Sequence, residues 1–172
     1  MQQTKFDKDR ETTLRNREKL RENRNLLYWY QRLYQETIGS IPARAEKKIL
    51  EIGSGTSPLK HYFPEVVTSD ILPLPYLDHV FDCQEIDKFE AIENESINCI
   101  TLTNVLHHLS DPLDFLLRAG KKLTGNGRII LTEPYLSLLS KPIYKYIHYE
   151  ATDTTTDQPV LDAGKGPLSS SN

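Results

Sequence analysis

Cysteine is scarce in this sequence. Of its 172 residues only two are cysteines, Cys83 and Cys99, and they do not form a Cys-x-x-Cys pair. Neither a disulfide framework nor a zinc cluster fits two such residues. Since both lie among apolar neighbours, we expect them to be buried and reduced.

Long apolar runs and a surplus of basic charge are also absent. No stretch approaches the roughly 18 apolar residues of a membrane span, and residues 1–5 lead into charged side chains without the apolar segment of a signal peptide. With 21 Lys and Arg against 24 Asp and Glu, the net charge is -3, which argues against a dedicated nucleic-acid or membrane-surface binder. We therefore expect a cytoplasmic protein with neither partner.

The first part of the chain predicts helices. Residues 5–24 are dense in charge of both signs, which is typical of a solvated helix or a partly disordered arm. A second helix is predicted to end at Gly39-Ser40 and Pro42, because apolar residues recur at steps of one, three and four: Leu26, Leu27, Tyr30, Leu33, Tyr34 and Ile38. This helix either packs against a core or covers a substrate as a lid, and the sequence leaves both open.

Short apolar strands then alternate with helix and turn signals, which predicts an α/β protein with a parallel sheet and helices on both faces. The predicted strands span 48–52, 65–70, 79–82, 97–103 and 128–132, the last after a turn at 125–127. A helix is predicted to begin at Asp111-Pro112, with Asp114 reaching back to the cap. Its expected apolar face comprises Leu113, Leu116, Leu117 and Leu123. Residues 136–149 predict one helix interrupted by Pro142, and 151–172 a loop or disorder with no strand.

A glycine loop, Glu51-Ile52-Gly53-Ser54-Gly55-Thr56, follows the first strand. Ligands of open parallel sheets lie beyond the carboxyl ends of the strands, and glycines let a ligand approach the backbone closely. A nicotinamide-binding loop would need a third glycine at the position of Pro58. The loop therefore favours a nucleoside cofactor without a phosphate.

Acidic residues end the next two strands. The Asp70 carboxylate can accept hydrogen bonds from both ribose hydroxyls, and Ile71 can offer an apolar surface to an adenine ring. Asp82 is placed to accept from the adenine amino group, with Cys83 and Gln84 contributing backbone groups. Either aspartate could instead cap the turn that follows it.

Four ordered motifs within residues 45–135 resemble class I S-adenosylmethionine-dependent methyltransferases, with the methyltransferase type 11 domain as the closest subgroup. The motifs are 49–56, Asp70, 101–109 with its Leu106-His107-His108-Leu109 stretch, and 123–134. The resemblance implies a Rossmann-like three-layer sandwich and S-adenosyl-L-methionine as cofactor. It further implies cofactor contacts from Glu51, Gly53, Ser54, Gly55, Asp70, Ile71, Asp82, Cys83 and Asn104. The chain departs from the family at Ser57, where a third glycine is usual, and at Asn98, where an acid is frequent.

The resemblance divides the chain into a helical extension (1–44), a cofactor-binding core (45–135) and a C-terminal segment (136–172) that lacks the family's last two edge strands. His107 and His108 are candidates to orient an acceptor or take its proton, although either could simply pack at a helix start. Glu133 could face the same cleft. Tyrosines on both sides of the core could line an acceptor pocket or serve in packing: Tyr28, Tyr30, Tyr34, Tyr135, Tyr144, Tyr146 and Tyr149.

Three functions are compatible with these residues. The first is methyl transfer from S-adenosylmethionine to a small-molecule acceptor, without a metal. The second is a non-catalytic cofactor-binding or interaction protein, which the missing edge strands would suit and in which an exposed edge could pair with a second copy. The third, a nucleotide-dependent oxidoreductase, is disfavoured by Pro58 and Glu51.

Overall fold

The computed structural model describes residues 5–39, 41, 48–135 and 137–146. Five parallel strands form one sheet in the order β3-β2-β1-β4-β5. They are β1 (Ile49–Ile52), β2 (Val67–Asp70), β3 (His79–Val80), β4 (Ile97–Thr103) and β5 (Leu123–Thr132). The predicted parallel α/β sheet is therefore confirmed, with β1, β2 and β3 one or two residues shorter than expected.

The fifth strand differs most from its prediction. Leu123 already pairs with Ile97, and the next paired residues are Cys99 and Arg128. Four residues of β5, 124–127, therefore bulge out against a single residue of β4. The predicted turn at 125–127 lies inside the strand rather than before it.

The described residues form five α-helices: α1 (Lys5–Glu22), α2 (Arg24–Thr37), α3 (Leu59–Tyr62), α4 (Pro112–Lys122) and α5 (Ser140–Tyr146). The charged segment is thus a helix rather than an arm. Asn23 separates α1 from α2, and its side-chain oxygen accepts a hydrogen bond from the Leu26 N–H at 3.1 Å, which caps α2. Two short 3-10 segments, Cys83–Lys88 and Leu106–His108, follow β3 and β4.

Apolar side chains cover both faces of β1, whose four residues are all buried. On one face, Ile49 and Cys99 pack with Tyr34 and Ile38 of α2. On the other face, Leu50 and Ile52 belong to a cluster that includes Phe115 of α4. The observed layers are therefore helix, sheet and helix, as the strand and helix pattern predicts.

The start of α4 confirms one prediction and corrects another. Asp111 caps the helix by accepting from the Asp114 N–H at 2.8 Å, but the Asp114 carboxylate turns to Arg118 instead of the cap. The predicted apolar face is wrong for Leu113 and Leu117, which are 52% and 66% exposed. The helix is rotated so that Phe115 and Ala119 meet the sheet, because the aromatic ring fills more of the core than a leucine would.

Beyond β5 the described chain contains α5 and no further strand. Pro142 does not interrupt this helix, since it lies in the first turn, where a backbone N–H is not needed. Residues 147–172, for which a loop or disorder is predicted, lie outside the described residues. No described helix is both long and apolar enough to cross a membrane.

Replacing Phe115, which is fully buried, with alanine should lower the free energy of unfolding by about 3–5 kcal/mol through lost burial and the cavity left behind. The same change at exposed Leu117 should cost less than about 0.5 kcal/mol. Urea unfolding followed by circular dichroism measures both. If the Phe115→Ala variant does not fold, Phe115→Leu replaces it in the comparison. Equal losses of unfolding free energy at positions 115 and 117 would contradict the observed rotation of α4.

Candidate cofactor cleft

The carboxyl ends of all five strands meet at one edge of the sheet. From β1 the chain runs outward to β2 and β3, then returns to place β4 on the other side of β1. The strand order therefore reverses between β1 and β4, and parallel sheets bind ligands in the crevice at such a reversal. The predicted site residues follow these strand ends.

The glycine loop is shaped at Gly53, whose φ of 73° lies in the left-handed region. A Cβ at this position would come within 2.3 Å of Val105 Cγ2, so only glycine fits. Ser54 faces inward: its hydroxyl donates to the Glu51 carbonyl at 3.3 Å and accepts from the Ser69 N–H at 3.2 Å. These bonds join the loop to β1 and β2, and a cofactor contact from Ser54 stays a prediction.

Asp70 binds the glycine loop directly. One carboxylate oxygen accepts from the Gly55 N–H at 2.9 Å and the other from the Leu72 N–H at 3.0 Å. Burial raises the pKa of Asp70 against the opposing effect of these backbone bonds. The carboxylate thus caps the next turn, and each oxygen keeps a further lone pair for a ligand. Ile71 beside it is 46% exposed.

Asp82 and its neighbours follow β3. The Asp82 side chain caps the 3-10 segment by accepting from the Gln84 N–H at 2.9 Å, as its capping interpretation anticipates, and it remains exposed. Cys83 is half-buried, and burial raises the pKa of its thiol to about 12, so it stays protonated. The Gln84 side chain ties this segment to Ser110.

Glu51 is the buried charge of the site. It is 2% exposed, and its Oε1 accepts from the Ser57 hydroxyl at 2.5 Å. Its Oε2 is also buried and has no hydrogen-bond partner among the described residues. Burial raises the pKa of Glu51 to about 7. A buried acid with an unsatisfied oxygen beside a glycine loop is suited to a cationic ligand.

His107 and Glu133 form a pair at the ends of β4 and β5. One Glu133 oxygen accepts from the N–H groups of Val105 and Leu106 at 3.1 and 2.9 Å, and the other bonds His107 Nδ1. Burial tends to raise the pKa of Glu133, but the bonds from His107 and the backbone hold it below its usual value. Glu133 is therefore an ionised carboxylate at the end of β5, and it orients the imidazole of His107.

Asn104 lies at the mouth of the cleft in a left-handed conformation, with φ at 56°. Its side chain is exposed, and its N–H donates to the Thr132 carbonyl at 2.8 Å. Non-glycine residues held in this region cluster at ligand sites. The His108 ring lies against the His107 ring, with ring centres 4.0 Å apart and the ring planes tilted by 49°.

Helix α1 supplies site residues that sequence reasoning missed. The Arg17 Nη1 donates to the carbonyls of Gly55 and Ser57 at 3.2 and 2.8 Å, while Tyr76 donates to the Gly55 carbonyl at 2.5 Å. Thr13 lies against Gly55 on the Asp70 side. No motif marks these residues, because a charged helix carries the same pattern whether or not it contacts a loop.

The tyrosines do not gather into one acceptor pocket among the described residues. Tyr34 is buried and bonds Ser57 through its hydroxyl, and Tyr30 packs beside it. Tyr28, Tyr135 and Tyr146 are exposed. The side chain of Tyr144 and all of Tyr149 lie outside the described residues. For Tyr30 and Tyr34 the packing interpretation holds.

A family model described as a methyltransferase domain matches residues 18–163 of the chain. No curated protein matches it. Among solved structures, a SAM-dependent methyltransferase from Archaeoglobus fulgidus is 21% identical, with a TM-score of 0.54, over 84% of this chain and 66% of that one. A proposed S-adenosyl-L-methionine-dependent methyltransferase from Methanococcus maripaludis is 13% identical, with a TM-score of 0.56, over 85% and 75%.

The chain spans about a third of the length of some larger methyltransferases that it also matches. The structure of the trans-methyltransferase CalH with SAH is 18% identical, with a TM-score of 0.40, over 49% of this chain and 31% of that one. At these identities the structures from Archaeoglobus fulgidus and Methanococcus maripaludis show a shared fold.

Glu51→Gln should make the protein more stable at neutral pH. Because the folded protein keeps a proton on Glu51 up to about pH 7 and the unfolded chain loses it near pH 4.5, stability falls as pH rises between these values. At about 1.4 kcal/mol per pKa unit, glutamine should recover up to about 3 kcal/mol at pH 8 and flatten this slope. Urea unfolding from pH 4 to 8 measures it, with exposed Glu65→Gln as the matched control. An unchanged slope would contradict the raised pKa.

Proposed function

Since the chain belongs to the methyltransferase domain family, we propose that it binds S-adenosyl-L-methionine and transfers the methyl group to a small acceptor that must lose a proton. The observation that carries this proposal is the buried Glu51 Oε2, which lacks a partner among the described residues beside the glycine loop. A cofactor with an ammonium group would satisfy it.

The charge of the cleft supports this cofactor. Carboxylates lie within two residues of four of the five strand ends: Glu51, Asp70, Asp82 and Glu133. S-adenosylmethionine carries a cationic sulfonium and an ammonium and no phosphate, so acids at the strand ends attract it where they would repel a nucleotide phosphate. The family, the fold and the charge therefore agree.

The nucleoside end has matching groups. Asp70 keeps lone pairs for the ribose hydroxyls while it holds Gly55, and exposed Ile71 offers an apolar surface to the adenine. Asp82 would accept from the adenine amino group, with Cys83 beside it. Gly53 and Gly55 let the ligand approach the backbone, and the exposed Asn104 closes the other side of the cleft.

The bound cofactor supplies an activated methyl group, and the chain's own residues orient the acceptor and take its proton. In the neutral form of His107, donation from Nδ1 to the ionised Glu133 places the lone pair of the imidazole on Nε2. This nitrogen can remove a proton from an acceptor held at the cleft mouth. His107 is thus the proposed base and Glu133 its positioning residue, and the His108 ring lies against His107.

Asp70→Asn should weaken binding of S-adenosylhomocysteine, the demethylated product, at least about tenfold, because one charged hydrogen-bond acceptor becomes neutral. Isothermal titration calorimetry gives the Kd, and a melting curve checks that the variant is folded. Glu93→Gln, an exposed acid before β4, is the control and should bind as the wild type does. Failure of the wild type to bind at millimolar product would refute the cofactor assignment.

His107→Gln should reduce methyl transfer about 10²–10⁴-fold while leaving the Kd of S-adenosylhomocysteine within about twofold, since a base acts on the acceptor and not on the cofactor. Transfer is measured with methyl-labelled S-adenosylmethionine and a panel of phenols, 1,3-dicarbonyl compounds and amines. Glu133→Gln should shift the pH profile of the rate. The control His61→Gln, outside the strand-end cleft, should change neither the rate of methyl transfer nor the Kd of S-adenosylhomocysteine.

Full activity of His107→Gln would rule out the proposed base. Cofactor binding by the wild type without transfer to any member of the panel would favour a binding protein over an enzyme.

A further inference from the structure

A second concave site lies outside the strand-end cleft. It is a cavity of about 300 Å³ between α1, α2 and the loop that follows Gly55. Its basic lining comes from Arg17, Arg21 and His61. The groups of the cofactor cleft, at the ends of β2, β3 and β4, do not line it.

The cations of this cavity are not neutralised within it. Arg17 uses Nη1 to hold two loop carbonyls and stacks 3.8 Å over Tyr76, and its Nε is buried with no partner among the described residues. Arg21 forms no hydrogen bond or ion pair with the described part of the chain. No acidic side chain of that part lines the cavity, so two guanidinium groups face one space, and Glu51 attracts Arg17 only from outside this lining.

The remaining walls are mixed in character. Leu20, Leu27 and Pro58 are apolar, and Thr56 and Ser57 carry hydroxyls. A volume of about 300 Å³ is at the lower end of small-molecule sites. Guanidinium groups match the planar geometry of a carboxylate or the oxygens of a phosphate. The two leucines suit an apolar part of the same ligand.

We propose that this cavity binds a small anion that carries a short apolar chain, with a carboxylate or a phosphate monoester as its head. The head lies between Arg17 and Arg21, and the chain lies against Leu20 and Leu27. Because Arg17 also holds the Gly55 carbonyl, the bound anion contacts the residue that joins α1 to the glycine loop. The cavity adjoins the proposed cofactor site through Arg17 and the loop after Gly55, but anion binding does not depend on the cofactor assignment.

Calorimetry on the full chain tests the proposal with five probes: hexanoate, acetate, hexyl phosphate, inorganic phosphate and hexan-1-ol. Hexanoate or hexyl phosphate, whichever head the site prefers, should bind at least about tenfold more tightly than either the head alone or the alcohol alone. Arg21→Ala should weaken that binding about tenfold or more, and it breaks no hydrogen bond or ion pair within the described residues. Arg15→Ala removes the same charge from the opposite face of α1 and should change the Kd less than about twofold.

Three results would overturn the proposal: no binding of either amphipathic anion at millimolar concentration, equal losses in the two arginine variants, or inorganic phosphate binding as tightly as hexyl phosphate. A further experiment measures the Kd of the anion in the presence of S-adenosylhomocysteine as competitor. A saturating amount of it should leave the anion Kd unchanged. Competition would assign the guanidinium groups to the cofactor site, and failure of the product to bind would leave the anion result standing.

Discussion

The parallel pairing of β1 with β2 on one side and β4 on the other is the constraint on which the rest of the structure depends. All four residues of β1 are buried, and its apolar side chains belong to two clusters: Ile49 packs with α2 on one face, and Leu50 and Ile52 pack with α4 on the other. Because the chain leaves β1 in one direction and returns on the opposite side, the ends of β1 and β4 diverge into a crevice. Gly53, Asn104 and His107 follow these ends.

Glu51 belongs to that strand and shows how binding and stability oppose each other here. Its position on the buried face places a carboxylate where water cannot solvate it, which raises its pKa to about 7 and disfavours the ionised form. Ser57 and, more distantly, Arg17 offset part of this cost. A cationic ligand at Oε2 would offset more, so the strain is localised at the point where a cofactor would be recognised.

Helix α1 connects the cofactor loop to the proposed anion site. Arg17 lies at the junction, since one face of its guanidinium stacks on Tyr76, Nη1 holds the loop carbonyls and the side chain lines the neighbouring cavity. A helix with so few apolar residues is held mainly by such polar contacts, including the bond from Arg10 to the Pro73 carbonyl at 3.0 Å. Its position is therefore set by specific hydrogen bonds rather than by burial.

The sequence by itself determined the parallel α/β sheet, the glycine loop, the acids at the strand ends and the Asp111 cap, because each rests on local residue chemistry: strand propensity, glycine's freedom at Gly53, or a side chain next to its own backbone. Tertiary structure decided the rest. The rotation of α4 that buries Phe115 and exposes Leu117 depends on the shape of the sheet surface, which no helical period contains. The pairing of His107 with Glu133 and the reach of Arg17 to Gly55 join residues far apart in the chain, and only the folded backbone brings their polar groups within hydrogen-bonding distance.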